Sequence, residues 1–125
     1  MKALLLLCLA ACSGTALAAA QVVDIAWGPQ GRFAHTATLA PKEVLEVCGK
    51  LARNSRILWS FDGTSATAFN IHVHEGKTVV YMARLEQAER GQGLQAFDAE
   101  PAHCWMWTNK ATQPVTIQVE LQQQG

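Results

Sequence analysis

From Phe69 to Val73 apolar residues alternate strictly with polar ones, so that Phe69, Ile71 and Val73 stand on one side of an extended chain and Asn70, His72 and His74 on the other. The same period of two returns at Val115, Ile117, Val119 and Leu121. A period of two belongs to a strand, whose side chains leave opposite faces in turn, and it cannot form the single apolar stripe of a helix. Further apolar segments at strand spacing lie at 33–39, 43–51, 57–61, 79–85 and 102–108, with a weaker one at 94–97. Turn formers separate them: Ala40-Pro41, Asn54-Ser55, Asp62-Gly63, Glu75-Gly76-Lys77 and Pro114. The polar, glycine-flanked stretch 86–93 is expected to be a loop or a short helical turn. No long amphipathic helix, internal repeat or linker interrupts the pattern. About seven or eight short strands predict an all-β chain folded as a single antiparallel β-sandwich.

The chain opens with Met1-Lys2, an apolar run over 3–11 and the small residues Ala16-Leu17-Ala18. This is the layout of a secretory signal peptide, taken as 1–20, which leaves 21–125 as one β-sandwich domain. Leu9-Ala10-Ala11-Cys12 also resembles a lipobox, so an outer-membrane lipoprotein anchored at Cys12 is the alternative to a soluble periplasmic or secreted protein. No later stretch is apolar for long enough to suggest a transmembrane helix. Ten basic and ten acidic residues are scattered along the chain, which argues against a nucleic-acid partner.

Three of the four histidines fall in two short segments, His72-Val73-His74 and His103-Cys104-Trp105-Met106-Trp107. If Phe69, Ile71 and Val73 face the core, His72 and His74 share the opposite face, at a spacing that suits a two-imidazole clamp on one ion. Imidazole with thioether favours copper, so His72, His74 and Met106 are the candidate ligands, with Trp105 or Trp107 covering the ion and zinc as the other candidate metal. The same tryptophans, with Trp59, also serve simply as core aromatics.

Removal of 1–20 would leave two cysteines, Cys48 and Cys104. In an oxidising compartment they are expected to form a disulfide, worth roughly 4 kcal/mol in the chain-entropy view. A thiolate ligand at Cys104 is the competing reading, and the two exclude each other. His103 and Cys104 are neighbours on a strand and point to opposite faces, so they do not make a nucleophile and its base. No other catalytic motif stands out, and an enzyme is the weaker class.

The segments Val47-Cys48-Gly49-Lys50-Leu51, Phe69-Asn70-Ile71-His72-Val73-His74-Glu75-Gly76-Lys77 and Cys104-Trp105-Met106-Trp107-Thr108-Asn109 resemble those of small bacterial periplasmic β-sandwich proteins. The layout is also similar to GOLD-like and jelly-roll-like sandwiches. The GOLD resemblance implies a binding or contact module and does not imply a metal. The cupredoxin pattern is only loosely matched, because His103 precedes Cys104 and no histidine follows it; a cupin-like metalloenzyme is a further alternative, with His72-Val73-His74 as its histidine pair. The leading expectation is an exported copper carrier or buffer using His72 and His74. Its alternative is a GOLD-like module that contacts another periplasmic protein, with Tyr81 and Met82 on the contact face.

Overall fold

The computed structural model describes residues 20–97 and 102–124. The expected signal peptide, all but Ala20, and the lipidation site at Cys12 lie outside them. Seven strands follow in chain order: β1 (Ala20–Asp24), β2 (Arg32–Leu39), β3 (Val44–Lys50), β4 (Arg56–Glu75), β5 (Thr78–Ala96), β6 (Ala102–Thr108) and β7 (Val115–Gln124). A single 3-10 turn, Pro29–Gly31, leads into β2. The chain is all-β, as the alternation requires.

All seven strands belong to one hydrogen-bonded sheet. Its organiser is β4, twenty residues long, which bends where its pairing with β5 shifts register between Asp62 and Thr67. Ahead of the bend β4 pairs with β7, which pairs with β2. Beyond it β4 pairs with β6, which continues to β3 and β1. β5 follows β4 along its other side through both halves. The result is a continuous sheet curled into two arms that share the β4–β5 hairpin, in place of two separately paired sheets. One contact departs from the antiparallel expectation, since β1 pairs with β3 in parallel.

The core fills the inside of the curl. Phe61 lies 4.8 Å from Phe69 between ring centroids, Trp59 5.0 Å from Phe69, and Trp107 5.5 Å from Phe61 edge-on, so aromatic rings from the two sides of the bend pack together at tilted angles. Leu45, Val47, Ile57, Ile71, Trp105, Ile117 and Leu121 are among the residues buried with them. Each comes from the apolar half of an alternating segment, which is why the pattern located the core.

Two expected breaks are absent. Asp62-Gly63 does not turn the chain but lies within β4, and 86–93 is part of β5 and not a loop. Gly91 and Gly93 are in register with Phe61 and Trp59, and a β-carbon on Gly91 would stand 2.6 Å from the Phe61 ring. These glycines make room for large rings across the ladder, a strand role that composition cannot separate from a turn role. At Glu75-Gly76-Lys77 the expected turn is present, and Gly76 takes the left-handed conformation that glycine tolerates best, with φ of 61°.

The loops at one end are tied by Asn109, which is fully buried. Its side-chain amide donates to the carbonyls of Leu39 at 3.1 Å and Gln113 at 2.9 Å, and its Oδ1 accepts from the Ala111 N–H at 2.9 Å. The last bond is an Asx-turn, the local geometry that favours asparagine after a strand.

Candidate functional site on the outer face

On the β1-β3-β6-β4 arm, register aligns the outward side chains in rows. Glu46, Met106 and Asn70 stand in one row, and Cys48, Cys104, His72 and Tyr81 in the next. Cys48 and Cys104 are directly opposed on neighbouring strands, their Cα atoms 4.2 Å apart, and form a disulfide. The expected bridge is present. While it is closed, Cys104 has no thiolate to offer an ion.

His72 departs from expectation. Alternation does turn it away from the Phe69, Ile71 and Val73 side, but it is only 4% exposed, and Asn70 is buried as well. The outer face here is not open to solvent, because Glu46, the disulfide, His74 and Tyr81 close around the ring. His74 is exposed, with its ring centroid 5.2 Å from that of His72. Met106 is half-buried across from Asn70. Trp105 and Trp107 are fully buried in the core, on the opposite face of β6 from Met106, so neither is placed to cover an ion bound beside the Met106 side chain. His103 also faces inward, its ring 4.1 Å from that of Phe97 between centroids, while Cys104 faces outward.

The environment of His72 sets its chemistry. Its Nδ1 lies 2.7 Å from Asn70 Oδ1, an acceptor, so Nδ1–H donates there. Nε2 lies 3.5 Å from Glu46 Oε1. Burial lowers the pKa of His72; the Glu46 carboxylate pulls it back up, and His74 pushes it down. The neutral ring, with its hydrogen on Nδ1, therefore turns the Nε2 lone pair toward a carboxylate oxygen. Such a pair of acceptors is held together by a cation between them or by a bridging donor. An imidazole oriented by a hydrogen bond on its far nitrogen is the usual arrangement of a metal-ligating histidine.

Glu46 and Asn70 escaped the sequence reading. Asn70 had a visible signal, being two residues from His72 and so on the same strand face. Glu46 had none, since only the β3–β6–β4 register brings it to His72.

A second outward surface lies on the other arm. Leu58 and Leu94 are directly paired across β4 and β5, and they are 48% and 47% exposed. Arg32, Ser60, Gln92, Glu120 and Gln122 rim a shallow depression around them. Val79 and Tyr81 are exposed on β5, which among the described residues pairs with β4 alone; the Arg84 guanidinium stacks over Tyr81 at 4.7 Å.

The sequence matches no protein-family model and no curated protein. Its fold is similar to that of several solved structures. The periplasmic inhibitor of g-type lysozyme PliG from Aeromonas hydrophila superposes with a TM-score of 0.69 at 12% identity, over 86% of this chain and 100% of that one. The PliG of Salmonella Typhimurium gives 0.61 at 8% identity, over 83% and 98%. The pre-peptidase C-terminal domain of a Bacillus anthracis collagenase gives 0.59 at 10% identity, over 87% and 100%. At these identities the likeness is one of fold, and the fold serves more than one role.

Proposed function

We propose that this chain is an exported protein-binding module acting in the periplasm, with a g-type lysozyme as its class of partner. The observation that carries the reading is the match, over the whole length of the other chain, to a periplasmic inhibitor of g-type lysozyme. The disulfide agrees with such a location, as does the secretory leader that the sequence leads one to expect. Leu58 and Leu94, with their polar rim, have the apolar centre and hydrogen-bonding margin that a protein contact uses. The test is to add the purified protein to a g-type lysozyme clearing a peptidoglycan suspension, with a c-type lysozyme as the comparison. Inhibition that saturates at one equivalent, with co-elution of the two proteins, is expected for the g-type enzyme. Unchanged clearing together with separate elution at micromolar concentrations overturns the reading.

Binding of copper by His72, His74 and Met106 is the second reading, and zinc is its competitor. It is favoured by the Asn70 contact that leaves His72 Nε2 free to ligate. Titration of the oxidised protein with Cu(I), Cu(II) and Zn(II), repeated on His74→Ala and Met106→Leu, tests it. Loss of affinity in both variants supports it, and unchanged affinity in either removes that ligand.

A further inference from the structure

Glu46, His72 and Cys104 come from three adjacent strands, and a carboxylate oxygen, a ring nitrogen and the sulfur lie within 4.8 Å of one another. Tetrahedral ligands with bonds of about 2.0–2.3 Å stand about 3.3–3.8 Å apart, so the three atoms need only a small approach to share one ion. Oxygen, nitrogen and sulfur together are a zinc-like donor set, and the carboxylate makes it a poorer match for Cu(I). In the closed disulfide the sulfur is already bonded to Cys48.

We propose that reduction of the Cys48–Cys104 disulfide opens a divalent metal site of the zinc class, made by Cys104 Sγ, His72 Nε2 and the Glu46 carboxylate. The reductant is a dithiol, which gives two electrons and two protons to the sulfur–sulfur bond and itself becomes a disulfide. Two thiols result. The Cys104 thiol then loses its proton as the metal–sulfur bond forms, which makes binding pH-dependent in the ordinary way of thiolate sites. The bridge and the ion therefore compete for the same sulfur. Three features prepare the site. Asn70 holds His72 with its Nε2 turned toward Glu46. Cys104 stands directly across from His72 in the β4–β6 ladder. The β3–β6 pairing, seven residues long, holds the two strands together without the bridge. This site shares His72 with the copper reading but uses Glu46 and Cys104 in place of His74 and Met106, so variants separate the two.

The experiment is a Co(II) titration of the purified protein, oxidised and after reduction with a phosphine, with circular dichroism recorded throughout. Reduced protein is expected to bind one equivalent, with a thiolate-to-cobalt charge-transfer band and a tetrahedral visible spectrum, and to lose both when Zn(II) is added. Oxidised protein should show no charge-transfer band. Glu46→Gln and His72→Asn should each weaken the reduced site by at least about tenfold, while His35→Ala, on the other arm, leaves it unchanged. Cys48→Ser, whose Cys104 is free without reductant, should bind Co(II) unreduced. The proposal is overturned if the reduced parent gives no charge-transfer band, or if both Glu46→Gln and His72→Asn bind as the parent does. Loss of the β-sheet spectrum on reduction that cobalt fails to restore overturns it equally.

Discussion

Gly93 lies directly opposite Trp59 in the β4–β5 ladder, and a β-carbon on it would stand 2.7 Å from the Trp59 ring. Trp59 is itself buried against Phe69, so its ring has little freedom to retreat. Gly93→Ala is expected to destabilise the fold by about 1–3 kcal/mol, in the range for overpacking a filled core. Trp59→Phe in the same chain should recover part of that loss. Urea denaturation of the two single variants and the double variant measures the coupling, and strict additivity would show that the ring and the glycine do not interact.

Asn109→Ala removes two donated bonds and one accepted bond from a buried position at once. Stranding the buried Leu39 carbonyl, with the Gln113 carbonyl and the Ala111 N–H left to solvent, is expected to cost about 1–3 kcal/mol. Thermal melts of the two proteins check it. A loss under about 0.5 kcal/mol would mean that solvent reaches these groups.

The lowered pKa of His72 has a definite sign in stability. Below about pH 6.5 the unfolded chain takes up a proton on this imidazole before the folded one does. Its contribution to stability is therefore present above that pH and is lost as pH falls toward the folded-state value. His72→Asn should flatten the acid side of the stability profile. Glu46→Gln, which removes the attraction offsetting burial, should extend the loss to lower pH. Denaturant midpoints at neutral pH and at about pH 5, with a chelator present, supply the comparison; parallel profiles for all three proteins would count against it.

If the Leu58–Leu94 pair is the centre of the partner contact, Leu58→Ser with Leu94→Ser should weaken binding to the g-type lysozyme by about tenfold or more, or about 1.4 kcal/mol. Both side chains are near half exposed, so the melting temperature should change little. Calorimetric titration with the lysozyme decides. Undiminished affinity would move the contact to another face.

The disulfide closes a loop of 56 positions. Cys48→Ser with Cys104→Ser is expected to lower stability by about 4 kcal/mol, because the unfolded chain regains the freedom the bridge denies it. Equilibrium unfolding of the oxidised parent and of the double variant gives the difference. Equal stability would place the effect of the bridge elsewhere than in the unfolded chain.

The core was legible because alternation alone separates inner from outer residues. Ile57, Trp59 and Phe61, like Val115, Ile117, Val119 and Leu121, are buried where their period places them. The disulfide was legible from the expectation of export and from the two cysteines that removal of 1–20 would leave. The curl was not, because a bend inside β4 and a turn at Asp62-Gly63 read alike in sequence. The burial of His72 was missed for a related reason: period two says which face a residue takes, and only register says what stands beside it. Glu46 and His72, 26 positions apart in sequence, meet through two strand pairings that no local pattern encodes.

β4 passes from one arm to the other as a single strand, its pairing with β5 shifting register at the bend, and this bears on the order in which the chain assembles. The β4–β5 hairpin closes through a tight turn at Gly76, a contact between near neighbours in sequence. The β2–β7 pairing must bring together residues such as Thr38 and Thr116, 78 positions apart. Loop-closure entropy makes such distant pairings slow. The hairpin is thus the natural early template, offering both arms an edge to grow on. Once they have grown, neither arm can melt without pulling at the strand it shares with the other. Amide exchange in the two arms is accordingly expected to converge on one limiting free energy.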